Sequence, residues 1–111
     1  LQTSFRTIKG RHGEKVDVPE DRKFIGFDGY KSVLESDAEL VILATPPGFR
    51  PLHFEAAIKA GKNVFMEKPV TVDGPTSRKM FALGEESVKK NMKVGVGLMC
   101  RHCHARQEFS S

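Results

Sequence analysis

Residues 40–70 read LVILATPPGFRPLHFEAAIKAGKNVFMEKPV, and this stretch decides the fold. Residues 40–44 form an uninterrupted apolar run, which is typical of a strand buried on both faces of a sheet. The prolines of the TPPG segment stop that strand, Pro51 suits the first turn of a helix, and Gly61 ends the helix. The apolar run at residues 64–66 predicts a second buried strand. Two buried strands joined by a helix predict a right-handed βαβ unit.

The carboxyl ends of these two strands carry the polar residues of the unit. Ligands of open α/β sheets bind at that edge, because the loops that follow parallel strands meet there. We therefore expect the functional site at this edge. Two short segments follow the strands: Thr45-Pro46-Pro47 and Glu67-Lys68-Pro69.

Three features of this stretch form a pattern: Ala44-Thr45-Pro46 after a strand, a helix end at Ala60-Gly61-Lys62, and the Glu67-Lys68-Pro69 turn. Together they resemble the glucose–fructose oxidoreductase/inositol dehydrogenase (Gfo/Idh/MocA) family, whose members are two-domain NAD(P)-dependent oxidoreductases. The Glu-Lys-Pro turn is the family's most specific local mark, and the resemblance extends over residues 23–102. It implies an α/β fold, a partial Rossmann-type parallel sheet with flanking helices that corresponds to the later half of the domain.

The chain has 111 residues, which is one domain at most, and 39% hydrophobic with 29% charged residues indicates a globular protein. It contains no Gly-x-Gly-x-x-Gly opening a helix, and the glycines of residues 94–97 lie within a predicted strand. By comparison with the two-domain members of this family, residues 1–111 are expected to be a partial NAD(P)-binding Rossmann domain. The first βαβ part and the C-terminal substrate domain would lie outside it, so the isolated fragment is expected to be inactive.

Charge and cysteine content narrow the functional classes. The formal net charge of +4 would suit anionic ligands, but basic and acidic residues are interleaved along the chain. No apolar run approaches the ~20 residues that a membrane-spanning helix needs. Two cysteines in a chain of this class predict reduced thiols. We expect a cytoplasmic protein that binds neither membranes nor nucleic acid.

Lys68 is the first candidate for chemistry. At the carboxyl edge of the sheet, a lysine can hydrogen-bond a substrate hydroxyl and move its proton while hydride leaves the adjacent carbon. The resemblance assigns this catalytic role to the matching lysine of the family, and Glu67 and Pro69 would shape the turn around it. The alternative is a solvated lysine that follows a strand.

The resemblance also implies a reaction and a cofactor. The parent enzyme would transfer hydride between NAD or NADP and a sugar-like or cyclitol alcohol or ketone, as a homo-oligomer. Thr45, Pro46 and Pro47 would lie against the adenosine and phosphate side of the cofactor, where a helix N-terminus favours anions. Pro47 stands where many members have asparagine and therefore lacks a hydrogen-bonding side chain. The alternative is a rigid connection without a ligand.

Four further cofactor-binding residues are predicted from the family pattern: Glu67 and Lys68 of the turn, and His53 and Arg101. His53 lies in the first turn of the helix, where the family often has histidine, although a partly exposed packing role is the alternative. Arg101 fits the pattern after the last strand and would lie near the cofactor or substrate cleft. Met99 stands where many relatives carry a polar side chain, which weakens the case for a nicotinamide contact there.

The CRHCH segment at residues 100–104 resembles a metal motif only superficially. Cys100 and Cys103 have Cys-x-x-Cys spacing, but no second ligand pair exists and consecutive residues wrap poorly around zinc. Thiol redox chemistry lacks the proline-containing helix start of thioredoxin-like sites. We therefore predict no metal site.

The flanking elements follow from periodicity and capping residues. Apolar residues recur at helical spacing from Leu1 to Ile8, so a helix ending at Gly10 is predicted. Residues 23–27 predict a strand, and Asp28 can cap a short helix after it.

The next predicted helix begins at Asp73, which would cap it, with Pro75 in the first turn and Asn91 at the end. A third strand is predicted at residues 93–98, and the tail at 99–111 could start another helix. The buried side of the capped helix is expected to contain three residues: Met80, Leu83 and Val88.

The first strand raises a question of association. With no earlier strand beside it, the run from Leu40 to Ala44 (residues 40–44) would be an uncharged apolar edge, and we expect the fragment to self-associate through it. The rival to the enzymatic interpretation is a non-enzymatic module that binds anions or nucleic acid. Its basic residues would be Arg6, Lys9, Arg11, His12 and Lys15, but interleaved stacking aromatics are lacking.

Overall fold

The computed structural model describes residues 1–110 of the chain. These residues form two compact units, one comprising Leu1–Ser36 and the other beginning at Asp37. The first unit contains only helices and loops, whereas the second contains a three-stranded parallel sheet with helices. The predicted α/β fold with a parallel sheet is confirmed.

The first unit opens with helix α1 (Gln2–His12) and ends with helix α2 (Gly29–Glu35). Helix α1 continues past Gly10, where its end was predicted, and stops at Gly13. Gly13 has φ of 50°, a left-handed conformation that glycine adopts without steric cost. Two 3₁₀ turns follow α1: Gly13–Lys15 and Glu20–Arg22.

The strand predicted at residues 23–27 is wrong. Gly26 has φ of 87°, and the amide of Gly29 donates to its carbonyl at 3.2 Å, so the chain turns there. Ile25 and Phe27 are 79% and 84% exposed. The first unit offers these residues no neighbouring strand, and a strand without a ladder partner is not stable.

Asp28 occupies the N-cap position of α2, as predicted, but its side chain makes no capping hydrogen bond. Its carboxylate instead pairs with the ammonium of Lys31 at 2.6 Å. Asp28 therefore supports the first turn through an i,i+3 ion pair rather than through a backbone N–H.

The second unit is built on three parallel strands: β1 (Leu40–Leu43), β2 (Asn63–Glu67) and β3 (Val94–Gly97). Their order is β1-β2-β3, so β2 is central and β1 lies at an edge of the sheet. Helix α3 (Arg50–Lys59) connects the first two strands, and helix α4 (Gly74–Lys89) connects the last two. Helix α5 (His104–Ser110) follows β3. The predicted β-α-β connection and the helical tail are confirmed.

The sheet is buried on one face only, so the expectation that β1 is buried on both faces is wrong. Leu40 and Ile42 are 53% and 67% exposed. The alternate residues are at most 9% exposed and pack with α3: Val41, Leu43, Val64 and Met66. The difference arises because α3 packs on this second set of side chains, and α4 packs against α3.

Helix α4 begins as predicted, since the Asp73 carboxylate accepts the backbone N–H of Thr76 at 2.7 Å. Its buried side contains Leu83 and, one turn later, Ser87. Val88, predicted to be buried, is 76% exposed because it lies one residue beyond the buried i,i+4 row. The predicted end is confirmed, with Asn91 in the left-handed region at φ of 53°.

Candidate active site

The carboxyl ends of all three strands lie at one edge of the sheet, because the strands are parallel. The sequence expectation that the TPP and EKP segments share an edge follows directly from this topology. The short 3₁₀ turn at Met99–His102 follows β3 at the same edge. Three segments therefore lead away from this edge: Thr45-Pro46-Pro47, Glu67-Lys68-Pro69 and the turn that contains Arg101.

The loop after β1 is ordered by a short 3₁₀ turn at Pro47–Phe49 that leads into α3. His53, one turn into the helix, is 8% exposed, so the partly exposed packing role does not apply. Its Nδ1 lies 3.2 Å from Oγ1 of Thr45, and its ring stacks on Phe49 at 5.8 Å between centroids. The structure therefore brings Thr45 and His53 together.

The electrostatic state of His53 follows from its surroundings. Burial lowers the pKa of its imidazole, and the positive charge of Arg50 lowers that pKa further. A neutral imidazole has one donor and one acceptor nitrogen, so it can form a directional hydrogen bond with the Thr45 hydroxyl. His53 acts here as a fixed partner for the loop.

Arg50 is a residue that the sequence reasoning missed. Its side chain is only 2% exposed, and its Nη1 donates to the carbonyl oxygen of Leu43, the last residue of β1, at 2.5 Å. Burial lowers the pKa of its guanidinium, and the negative charge of Glu67 opposes that shift. Burying a charge typically costs several kcal/mol of free energy, so packing alone does not explain an arginine at this position.

One sequence signal could have drawn attention to Arg50. It is the first residue of α3, where the helix dipole disfavours a cation. A basic residue directly before Pro51, in the first turn of the helix, opposes the local electrostatic preference, and such conflicts concentrate at functional sites.

Glu67 and Gly97 are directly opposite each other in the β2–β3 register. A Cβ atom added to Gly97 would lie 2.6 Å from an oxygen of the Glu67 carboxylate. The carboxylate therefore lies across the backbone of β3, in space that only glycine leaves open. Gly95 provides similar room for the ring of Phe65, at 3.3 Å. The VGVG sequence thus accommodates the side chains of β2 rather than a phosphate.

Lys68 follows the central strand and is exposed, and the Lys68–Pro69 peptide bond is cis. Among residues 1–110, its ammonium has no hydrogen-bond or ion-pair partner. The Glu67 carboxylate likewise accepts no hydrogen bond within the described part of the chain. The centre of the edge therefore presents one cationic donor and one anionic acceptor, both available to a ligand.

Arg101 is exposed in the 3₁₀ turn after β3, and its carbonyl accepts from the side chain of Gln107 at 2.9 Å. Its guanidinium contacts neither the Thr45–His53 pair nor Glu67 through a hydrogen bond or ion pair. The structure places Arg101 at the same edge of the sheet but does not join it to the other candidate residues.

Two other features carry little chemistry. Cys100 and Cys103 are exposed free thiols, and residues 1–110 contain no group of three or more His, Cys, Asp or Glu side chains that could hold a metal. An apolar groove of about 390 Å³ lies between α4 and the sheet. Its hydroxyls, on Thr71 and Ser77, hydrogen-bond each other at 2.9 Å.

No helix in the described part of the chain has the length and apolar character needed to cross a bilayer.

Comparisons with known proteins agree on one family. The family model described as "Oxidoreductase family, NAD-binding Rossmann fold" (GFO_IDH_MocA) matches residues 6–98. Over 60 residues, the chain is 35% identical to dTDP-3,4-didehydro-2,6-dideoxy-alpha-D-glucose 3-reductase of Actinomadura kijaniata, covering 53% of this chain. Over 84 residues, it is 31% identical to inositol 2-dehydrogenase of Rhodococcus jostii (strain RHA1), covering 76% of this chain. The matches span only 18% and 22% of the lengths of these two relatives.

A solved structure agrees with this assignment. The 3-ketoreductase KijD10 from Actinomadura kijaniata, in complex with TDP-benzene and NADP, has a TM-score of 0.62 at 26% identity. The match covers 73% of this chain and 25% of that one. Since the family model covers most of the sequence and the parallel sheet agrees with its fold, the chain belongs to the Gfo/Idh/MocA family of oxidoreductases with an NAD-binding Rossmann fold.

Proposed function

We propose that the full-length protein carrying this chain is an NAD(P)-dependent oxidoreductase. It transfers hydride between the nicotinamide and an alcohol or ketone of a sugar-like or cyclitol substrate. The observation that carries this proposal is the ammonium of Lys68, which has no partner among residues 1–110 and follows the central strand of the sheet. Residues 1–111 would form part of the cofactor-binding domain, and the isolated chain would be inactive.

The reaction assigns a distinct role to Lys68. When bound, the oxidised nicotinamide supplies a hydride acceptor for the carbon that bears the hydroxyl. The amine form of Lys68 takes the hydroxyl proton, and the electrons of that O–H bond form the C=O bond of the product. In the reverse direction, the ammonium of Lys68 returns the proton to the carbonyl oxygen.

The residues at the edge suit a dinucleotide, judged by their chemistry. The Glu67 carboxylate can accept hydrogen bonds from ribose hydroxyls, and Thr45 is exposed on the loop before α3. Pro46 and Pro47 would shape that loop against the cofactor. His53 is buried and hydrogen-bonded to Thr45, so we assign it an indirect role in cofactor binding, in which it holds Thr45 in place. The exposed guanidinium of Arg101 would contact a phosphate or the substrate.

The substrate class follows from the relatives. The two curated proteins are named for an inositol and for a dTDP-linked sugar, and both names describe oxidation or reduction of a ring carbon. We extend that class, polyols and sugar-like rings, to the full-length protein. We also propose that it is a cytoplasmic homo-oligomer that binds neither nucleic acid nor membranes.

A turnover assay on the full-length protein tests this function. Purified protein is incubated with NAD⁺ or NADP⁺ and a panel of inositols, free sugars and nucleotide sugars, and NAD(P)H is followed by absorbance. We expect turnover with one substrate group. Lys68→Ala should lower kcat by about a hundredfold to ten-thousandfold, whereas Lys89→Ala, an exposed lysine on α4, should leave it unchanged. An absence of both turnover and cofactor binding would overturn the proposal.

A further inference from the structure

Arg50 carries a buried charge that the described part of the chain does not neutralise. The residue is 2% exposed, and no carboxylate of residues 1–110 forms an ion pair with it. Glu67 alternates along β2 with the buried Met66, so its side chain lies on the other face of the sheet and attracts Arg50 only from a distance. A buried cation without a counter-ion is strongly unfavourable, so we expect a negatively charged partner from outside these residues.

The guanidinium uses only one of its three nitrogens within residues 1–110. Nη1 donates to the carbonyl oxygen of Leu43 at 2.5 Å, whereas the buried Nε–H has no acceptor. Nη2 makes no hydrogen bond in this part of the chain either. In the planar guanidinium, Nε–H and one N–H of Nη2 point in the same direction and form a fork that can bind two oxygens of one phosphate or carboxylate group. The unused side of Arg50 therefore suits an oxyanion.

This fork lies at the edge of the sheet where the proposed cofactor would bind. Leu43 is the last residue of β1, and Thr45 follows two positions later. Arg50 is the first residue of α3, and the N-terminus of a helix favours a negative charge. An anion at this point is attracted both by the guanidinium and by the helix dipole, and it would relieve the unfavourable position of the unpaired cation.

We propose that Arg50 is an oxyanion-binding residue whose Nε/Nη2 fork takes a phosphate group at the loop between β1 and α3. The phosphate belongs to the pyrophosphate of the dinucleotide cofactor, so the source of the ligand rests on the proposed oxidoreductase function. Inorganic phosphate has the same oxygens without the nucleosides, and it can therefore serve as a separate probe of the site. Arg50 takes no part in hydride or proton transfer.

The alternative is that Arg50 only fastens α3 to the end of β1 through its hydrogen bond to Leu43. That role requires Nη1 alone and no anion. It predicts that a replacement of Arg50 changes the stability of the fold by the same amount with and without phosphate. An oxyanion site predicts instead that phosphate stabilises the wild type by mass action, and that the loss of the fork abolishes this effect.

Two measurements on the full-length protein separate these roles. The midpoint of thermal unfolding is recorded in inorganic phosphate and in chloride at equal ionic strength, and the Kd for NADH is measured by fluorescence titration in phosphate-free buffer. The variants are Arg50→Met, which removes the fork, and Arg50→Lys, which keeps the charge but not the fork. Arg78→Met, which replaces an exposed arginine on α4, is the matched control.

We expect phosphate to raise the unfolding midpoint of the wild type and of Arg78→Met relative to chloride, and to leave that of Arg50→Met unchanged. Arg50→Met should raise the Kd for NADH about tenfold to a hundredfold, because it removes charge-assisted hydrogen bonds to a phosphate. Arg50→Lys should raise it by less, about threefold to tenfold, since its ammonium keeps the charge but lacks the planar fork. Arg78→Met should bind NADH as the wild type does.

The outcomes separate this inference from the proposed function. A wild type with neither NADH binding nor turnover would remove the proposed function, whereas a phosphate effect that depends on Arg50 would still support the oxyanion site. Loss of the phosphate effect in Arg50→Met with unchanged NADH affinity would assign the site to free phosphate.

A phosphate effect of equal size in the wild type and in Arg50→Met, or no effect in either, would overturn the oxyanion site. If Arg50→Met does not fold, Arg50→Lys decides. A phosphate effect and a Kd for NADH that both equal those of the wild type in that variant would also overturn the site, because the fork would then be unused.

Discussion

Replacing Gly97 by alanine should separate cofactor binding from folding stability. The new Cβ would lie 2.6 Å from one Glu67 carboxylate oxygen and 2.8 Å from the other, closer than real Cβ atoms approach. The carboxylate is the far end of a flexible, exposed side chain, so it can move away. Alanine is favoured over glycine within a strand by roughly 0.5–1 kcal/mol, so we expect the free energy of unfolding to change by less than about 1 kcal/mol.

The functional effect of Gly97→Ala should be larger. A hydrogen bond to a charged group contributes about 1.5–3 kcal/mol, so displacing Glu67 from a cofactor hydroxyl should raise the Kd for NADH about tenfold to a hundredfold. The assay is a fluorescence titration of the full-length protein with NADH, beside urea unfolding of the same samples. Gly95→Ala is the matched control, because its Cβ would meet only the Phe65 ring, at 3.3 Å.

Gly97 and Glu67 are also expected to be coupled in their effect on cofactor binding. In a Glu67→Ala background, Gly97→Ala should leave the Kd for NADH unchanged, since no carboxylate remains to be displaced. The account of this site is refuted if Gly97→Ala binds NADH as tightly as wild type while Glu67→Ala binds it weakly. Equal binding by all of these variants would remove Glu67 from the cofactor site.

Three other predictions concern stability and association. Asp73→Ala should lower the free energy of unfolding by about 0.5–2 kcal/mol in urea denaturation, because it removes the cap of α4; an unchanged midpoint would contradict the capping role. Hydrogen bonds from Lys59 and Lys79 hold the pKa of Glu55 at about 2, below its usual 4.5. The stability from this pairing is present above pH 4.5 and is lost as pH falls through 2. Because both lysines are exposed, Glu55→Gln should cost less than about 1 kcal/mol at pH 7, and the cost should shrink towards zero as pH falls through 2 in parallel unfolding curves. Finally, the isolated chain should self-associate through β1 in sedimentation at several concentrations, and Ile42→Lys should make it monomeric; a monomeric unmodified chain would exclude this edge.

The β-α-β connection of the second unit could be predicted from sequence, because the residues that determine it lie close together in the chain. Two apolar runs, Pro51 in the first turn of a helix and Gly61 after it fix a β-α-β connection without knowledge of distant contacts. Asp73 was predictable for the same reason, since its capping partner lies three residues away. The shared edge for the two loops follows from the parallel topology alone.

The wrong predictions of a strand and of buried residues have one physical cause. Whether a segment pairs or is buried depends on which other elements pack against it, and the local sequence does not contain that information. Residues 23–27 have strand-like composition but no neighbour to pair with in their unit. Ile42 belongs to an apolar strand, yet it is exposed because α3 packs on the other face. Val88 was assigned to the buried side of α4, where Ser87 lies instead.

The supporting residues of the site could not be read from the sequence, because their roles depend on tertiary proximity. Arg50 lies seven positions after Leu43 in the chain, and only the fold brings its guanidinium to the carbonyl at the end of β1. Gly97 lies 30 positions after Glu67, and the strand register places the two opposite each other. Motif recognition could identify Lys68 as a candidate but not Arg50 or Gly97.

Deuterium transfer tests the central claim most directly. The full-length protein is incubated with NAD⁺ or NADP⁺ and a substrate that carries deuterium on its carbinol carbon, and the reduced cofactor is examined by NMR. We predict that the deuterium appears at C4 of the nicotinamide, and that Lys68→Ala forms the labelled cofactor at least about a hundredfold more slowly while binding NADH normally. Ketone formation without label in the cofactor, or an undiminished rate in Lys68→Ala, would contradict the account.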